Sequence, residues 1–135
     1  MIIGLGEDLV AIDRIQKLIE SKGDAFLKKC FTAAEIKKAA LHNTIERTAA
    51  YYAKRFAAKE ACLKAMGTGM RDGLSWHDMD IDNDELGRPV LNISGGVAER
   101  LKNMCDHPAL HITLSDEAGL AHATVIIETR STVQG

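Results

Sequence analysis

The sequence predicts an α+β domain: a small antiparallel sheet packed on one long central helix, with shorter helices around it. From about Glu46 to Met66 the apolar residues recur at helical spacing, and a glycine, Gly67, closes the run. After Asp72-Gly73 the period changes to two, and two hairpin-like stretches follow. The opening Ile2-Ile3-Gly4-Leu5-Gly6 is apolar and β-prone, with glycines that allow close backbone approach, so it reads as a short strand ending at Asp8.

In chain order, Asp13 and Gln16 form a capping-box pattern. Ile15, Leu18 and Ile19 supply the buried face of a helix that ends near Gly23, with Arg14, Lys17 and Lys22 outside. Thr32 and Glu35 form a second capping box, with Phe31 and Ile36 as its staple, so a helix starts at Thr32. A polar connection over 42–46 leads into the central helix. Met79 and Ile81 alternate with Asp80 and Asp82, residues 83–87 turn, and Pro89-Val90-Leu91-Asn92-Ile93 returns as a hairpin. Ser94-Gly95-Gly96 enters a helix with Val97, Leu101 and Met104 on one face, closed by Asp106-His107-Pro108. Leu110, Ile112 and Leu114 then alternate with polar residues, and a β-branched run over 120–128 follows across an Asp116-Glu117-Ala118-Gly119 turn.

At 135 residues the chain has single-domain size and can bury roughly two thirds of its unfolded surface. With 46% hydrophobic but only 4% aromatic residues, it expects a core of Ala, Leu, Ile and Val and offers no stacking platform for nucleic-acid bases. Cys30, Cys62 and Cys105 are odd in number and widely spaced, which argues against a disulfide framework or zinc cluster and fits a reducing cytoplasm. The N-terminus has no signal-peptide pattern, and no apolar run approaches membrane-spanning length. The net charge of −2 conceals a division: 13 basic against 5 acidic residues over 14–71, and 3 against 11 over 72–128. A basic half implies an anionic partner. The five histidines show no helical ligand pair, and Asp80, Asp82 and Asp84 lack the later glycine and glutamate of a calcium loop. They read as solvating an exposed strand face.

The chemistry-bearing stretch is Arg47 to Gly69. Tyr52, Phe56 and Leu63 lie within about 40° on a helical wheel, beside a thin strip of Ala53, Ala57 and Ala61 where another backbone can approach. Glu60 falls about 40° from Phe56, so its carboxylate sits at the edge of the buried stripe and needs a partner. Two readings stand open: a helical ion pair with Lys64, or a metal ion. Arg55 and Lys59, one turn apart, repel unless an anion such as a polyphosphate lies between them. Gly67-Thr68-Gly69 is either a plain helix cap or, with its amides and hydroxyl beside Lys64, an anion-binding nest.

Arg55-Phe56-Ala57-Ala58-Lys59-Glu60-Ala61, with Lys64 and Gly67-Thr68-Gly69, is similar to the signature of the phosphopantetheinyl transferases. Gly4-Leu5-Gly6-Glu7-Asp8-Leu9-Val10 with Arg14-Ile15 resembles the opening of their holo-acyl-carrier-protein synthase branch. Three separated blocks recur in the family's order over about residues 2–128. The resemblance implies a phosphopantetheinyl transferase-like fold in one domain over 1–128, with 129–135 a flexible tail. It implies transfer of 4′-phosphopantetheine from coenzyme A to a serine of apo acyl carrier protein, in support of fatty acid biosynthesis, by a homotrimer with sites between subunits. It makes Asp8 and Glu60 ligands of Mg2+, with Lys64 on the pyrophosphate as the third catalytic residue. Arg47 and Arg55 would take the 3′-phosphate, with Gly67, Thr68, Gly69, Arg88 and Pro89 bordering the nucleotide. Arg14 and Lys17 would dock the acidic carrier. The chain departs from the family at Ser115-Asp116, where some members have a histidine, and at Glu7, where threonine is common. A magnesium-dependent nucleotide hydrolase, or a nucleotide- or carrier-binding module without chemistry, are the rival readings.

Overall fold

The computed structural model describes residues 1–130. Strand β1 (Ile2–Ala11) leads into helices α1 (Ile12–Lys22), α2 (Asp24–Cys30) and α3 (Ala33–Ala39), and then the long α4 (Ile45–Met66). A single 3-10 turn at Trp76–Asp78 precedes the hairpin β2 (Met79–Asn83) and β3 (Pro89–Ile93), helix α5 (Gly95–Met104), and the closing hairpin β4 (Pro108–Glu117) and β5 (Leu120–Thr129). The larger sheet has the antiparallel order β1-β5-β4, and β2-β3 forms a separate two-stranded sheet.

Helix α4 is the axis of the molecule. Its residues Tyr52, Ala53, Phe56, Ala57, Ala58, Ala61, Cys62 and Leu63 are all buried, so it is covered round most of its circumference, as a core helix must be. One side lies on β1 and β5. Close approach is possible because β1 presents glycines there: a β-carbon on Gly6 would fall 2.1 Å from the Ala61 carbonyl oxygen, and one on Gly4 2.1 Å from that of Ala65. The expected thin alanine strip and the expected glycine strand are therefore two halves of one contact.

Several boundaries differ from the sequence reading. Strand β1 does not end at Asp8 but continues in register with β5 to the Ala11–Leu120 pair, so Asp8 sits within a strand. Helix α1 begins at Ile12 without a side-chain cap. The Ile12 amide is satisfied instead by the Gly119 carbonyl at 2.9 Å, Asp13 pairs with Lys17, and Gln16 turns to Glu20. The second capping box forms as expected, with Thr32 and Glu35 bonding reciprocally. Asp80 and Asp82 do not merely solvate a strand face, because they accept from Thr32 and Lys38 of α3 and its cap. Met104, expected on the packed face of α5, is exposed. The closing turn is tighter than expected: strand pairing persists to Glu117–Leu120, and Ala118 and Gly119 alone turn the chain, both at positive φ. Thr129, assigned to the tail, is the last residue of β5, its amide bonded to the Met1 carbonyl. Arg130, also assigned to the tail, donates its amide to the His107 carbonyl at 3.1 Å, and residues 131–135 lie outside the described residues.

Candidate functional site

Strand alternation turns Gly4, Gly6, Asp8 and Val10 toward α4 and Leu5, Glu7 and Leu9 away from it. The glycine contact therefore delivers Asp8 to the last turns of α4. There Lys64 Nζ donates to Asp8 Oδ1 at 2.8 Å and to the Glu7 carbonyl at 3.1 Å. Lys64 thus pairs with Asp8, and the helical Glu60–Lys64 ion pair does not form among the described residues. Glu60 is half-buried. Burial pushes its carboxyl pKa above the ordinary value and the Asp8 charge pushes it further, against the opposing pull of Lys64 and Arg14. Two carboxylates thus share one site within reach of the Lys64 and Arg14 charges, and among the described residues no third Asp, Glu, His or Cys joins them. A site of two hard oxygen donors that repel each other suits a small divalent cation whose remaining ligands come from water or a substrate phosphate.

Glu7 is not part of this cluster. It points to the opposite face of the sheet and meets His122 Nε2 at 3.1 Å, the residue one strand over.

The far side of α4 holds a second feature, a cleft of 730 Å³ lined by Lys38, Arg47, Lys54, Arg55, Asn83 and Asp116 among others. Arg55 is 6% exposed. Its guanidinium lies 3.8 Å over the Tyr51 ring and donates to Asn83 Oδ1 at 3.1 Å, while its buried Nε has no partner. Arg47 is exposed at the rim.

Lys59 corrects the sequence reading. It does not share an anion with Arg55, because its side chain is 0% exposed and points into the core. Its ammonium donates to Glu35 Oε1 at 2.6 Å, to the Cys30 carbonyl at 2.8 Å and to the Trp76 carbonyl at 3.4 Å. Glu35, read only as a capping residue, also accepts from the Ile81 amide at 2.8 Å. Nothing in local spacing could reveal a pair 24 residues apart. The Gly67-Thr68-Gly69 amides are no open nest either: all three turn back onto the Leu63 carbonyl, and Gly67 also bonds that of Lys64. This segment is a C-cap with Gly67 in the left-handed region, although Thr68 Oγ1 stays buried and unpartnered. Arg88 is exposed, and Asp84 of its own turn holds its guanidinium at 2.9 Å. Pro89 opens β3 beside it. Arg14 and Lys17 share an open groove of 440 Å³ on α1 with Leu18 and Ser21.

A family model described as the 4′-phosphopantetheinyl transferase superfamily matches residues 4–125. The chain belongs to this superfamily. Among curated phosphopantetheinyl transferases it is 48% identical to the holo-[acyl-carrier-protein] synthase of Dinoroseobacter shibae over 130 residues, 94% of this chain and 91% of that one. Among solved transferase structures it resembles the Neisseria meningitidis holo-[acyl-carrier-protein] synthase (TM-score 0.84, 33% identity, 96% and 100% of the two chains). The Bacillus anthracis enzyme in complex with CoA (3′,5′-ADP) is also similar (TM-score 0.80, 32% identity, 96% and 99%). The transferase fold is thus the one the sequence predicts, an antiparallel sheet on a long central helix.

Proposed function

We propose that the chain is a holo-[acyl-carrier-protein] synthase that moves 4′-phosphopantetheine from coenzyme A to a serine of an apo acyl carrier protein. The family match and the near-full-length relatives of that name support the reaction. The observation that supports the site assignment is the closeness of the Asp8 and Glu60 carboxylates, whose charges act on one another, with Lys64 tying the strand to the helix beside them.

In the reaction the serine hydroxyl gives up its proton to solvent water as its oxygen forms a bond to the phosphorus nearest the pantetheine. The bond from that phosphorus to the bridging oxygen breaks, and adenosine 3′,5′-bisphosphate leaves with the electron pair. Asp8 and Glu60 would hold Mg2+, which when bound neutralises charge on the pyrophosphate oxygens. Lys64, tethered to Asp8 and half-exposed, adds a fixed positive charge beside the same oxygens. The Gly67-Thr68-Gly69 cap, with its amides committed to the helix, lends shape at the nucleotide's edge, and Arg88 and Pro89 border it from the β2-β3 turn.

Arg47 and Arg55 would hold the 3′-phosphate. They stand about 140° round α4 from Glu60, so the two ends of one coenzyme A are gripped by different faces of the helix. A site completed between copies of the chain meets that geometry. The sheet face turned away from α4 offers a surface for it, because Leu5 and Leu9 are 67% and 62% exposed there. A homotrimer acting in the cytoplasm on the carrier of fatty acid biosynthesis is the assembly and setting we infer.

Mass spectrometry of an apo carrier incubated with the chain, coenzyme A and magnesium should show the gain of one phosphopantetheine on serine. Coenzyme A cleavage at the same rate without any carrier would instead identify a hydrolase.

A further inference from the structure

The cleft on the far side of α4 contains four cations and one acid, and their pairings are unequal. Lys38 is drawn away to Asp82 on β2. Arg55 is anchored on Tyr51 and Asn83, with its Nε still unpartnered. Lys54 Nζ donates to Asp116 Oδ1 at 2.9 Å, and both side chains are about one third exposed (29% and 37%). Arg47, Ala50 and Lys54 run along one strip of the helix surface. The two cations spring from points about 10 Å apart along the axis, and the small Ala50 between them leaves open space in the cleft lining.

An ammonium has three donors. Asp116 takes one and so fixes the direction of the other two, which a free lysine stem would have to order at a cost in rotamer entropy when a ligand arrives. The charges also match a particular ligand. Arg47, Lys54 and Arg55 against Asp116 leave two positive charges, and a phosphomonoester carries about −1.5 to −2 at neutral pH.

We propose that Lys54, oriented by Asp116, is a third cation for the phosphomonoester in this cleft, and that the pair determines the preference for coenzyme A over 3′-dephospho-coenzyme A. The inference rests on the reading of coenzyme A as co-substrate. It gives the aspartate at position 116, which replaces the histidine of some relatives, a positioning role instead of a chemical one.

The test is steady-state transfer to an apo carrier with coenzyme A and with 3′-dephospho-coenzyme A, for the unaltered chain and for Lys54→Met, Lys54→Arg, Asp116→Asn and Arg47→Ala. Lys54→Met should raise KM for coenzyme A about tenfold, the scale of a lost charge-assisted hydrogen bond, with a much smaller change in kcat. The preference for coenzyme A over its dephospho form should fall by the same factor, and Lys54→Arg should restore most of it. Asp116→Asn should also raise KM for coenzyme A, and adding Lys54→Met to it should cost less than Lys54→Met alone. Both side chains are partly exposed, so thermal melts should move little. A lower KM for coenzyme A in Asp116→Asn would show that the carboxylate only repels phosphate, and would overturn the proposal. So would equal losses on both substrates. If Arg47→Ala erodes the preference and Lys54→Met does not, this inference fails while the transferase reading stands. Failure of the unaltered, folded chain to transfer from coenzyme A at all would instead sink that reading, and this one with it.

Discussion

Gly6 and Ala61 touch backbone to backbone: the Ala61 carbonyl oxygen occupies the space where any side chain at Gly6 would begin. The Ala65 amide nitrogen is only 2.6 Å from the same point, and neither group is a flexible side-chain end that could swing aside. Gly6→Ala must therefore push β1 off α4. It should destabilise the fold by roughly 3 kcal/mol or more, the upper range for overpacking, measured by urea unfolding. Since Asp8 is two residues along the same strand, the surviving folded fraction should also lose magnesium-dependent activity. Stability and turnover both near normal would show that the contact is not as tight as described.

Glu35 and Lys59 make a second prediction, on stability alone. Both charges are fully buried, and desolvation pulls the Lys59 pKa below its ordinary value even though Glu35 opposes the shift. Glu35→Ala would strand the ammonium and also orphan the Thr32 and Ile81 amides. Loss of one partner of such a pair costs about 3–5 kcal/mol. Removing both charges in Glu35→Leu with Lys59→Met should recover part of that loss but not all, because the two amides stay unpaired. A double variant less stable than Glu35→Ala would show that the pair is replaceable by nothing apolar.

Local patterns in the sequence identified α4, its cap at Gly67, the Thr32 capping box and both hairpins. The alanine strip and the strand glycines were each legible as places of close backbone approach, but that they meet each other, and so bring Asp8 to α4, is visible only in the fold. Long-range side-chain pairing was not legible. The i,i+4 rule offered Lys64 as one of two partners for Glu60, yet the strand packed alongside gave Lys64 a carboxylate of its own, Asp8. The same rule grouped Lys59 with Arg55, although a capping glutamate on another helix neutralises it. Helix α2 is not legible in the sequence because residues 24–30 carry no cap signal, and no side chain caps its start in the structure.

The α1 surface gives a prediction about carrier docking. Lys17 is exposed and only loosely held by the equally exposed Asp13, a pair of little energetic value that leaves the charge available. Arg14 lies near enough to Glu60 to lower its pKa, so Arg14→Glu changes the proposed metal site as well as the surface. Lys17→Glu is the cleaner change. It should raise KM for the carrier severalfold at low ionic strength, leave KM for coenzyme A alone, and lose its effect as salt shortens the Debye length below about 8 Å. Carrier kinetics that ignore both the substitution and salt would remove this face from the docking surface.

Glu60 separates a metal ligand from a structural acid by stability as well as by rate. Its raised pKa means that the folded chain holds the Glu60 proton more tightly than the unfolded chain does. That contribution is complete below the ordinary carboxyl value of 4.5 and is lost as pH rises through the folded value. At neutral pH without metal, ionised Glu60 is thus a burden on the fold, caused first by burial and then by Asp8. Glu60→Gln should accordingly raise Tm at pH 7 in chelator, and the difference should shrink to nothing below about pH 4. Magnesium should raise the Tm of the unaltered chain, through preferential binding to the folded state, and should do so far less for Glu60→Gln. Turnover should fall by orders of magnitude in the same variant, and Asp8→Asn should share the loss of rate. A Glu60→Gln chain that melts lower at pH 7, responds to magnesium as before and keeps its turnover would mean that Glu60 serves packing, and that the metal site lies elsewhere.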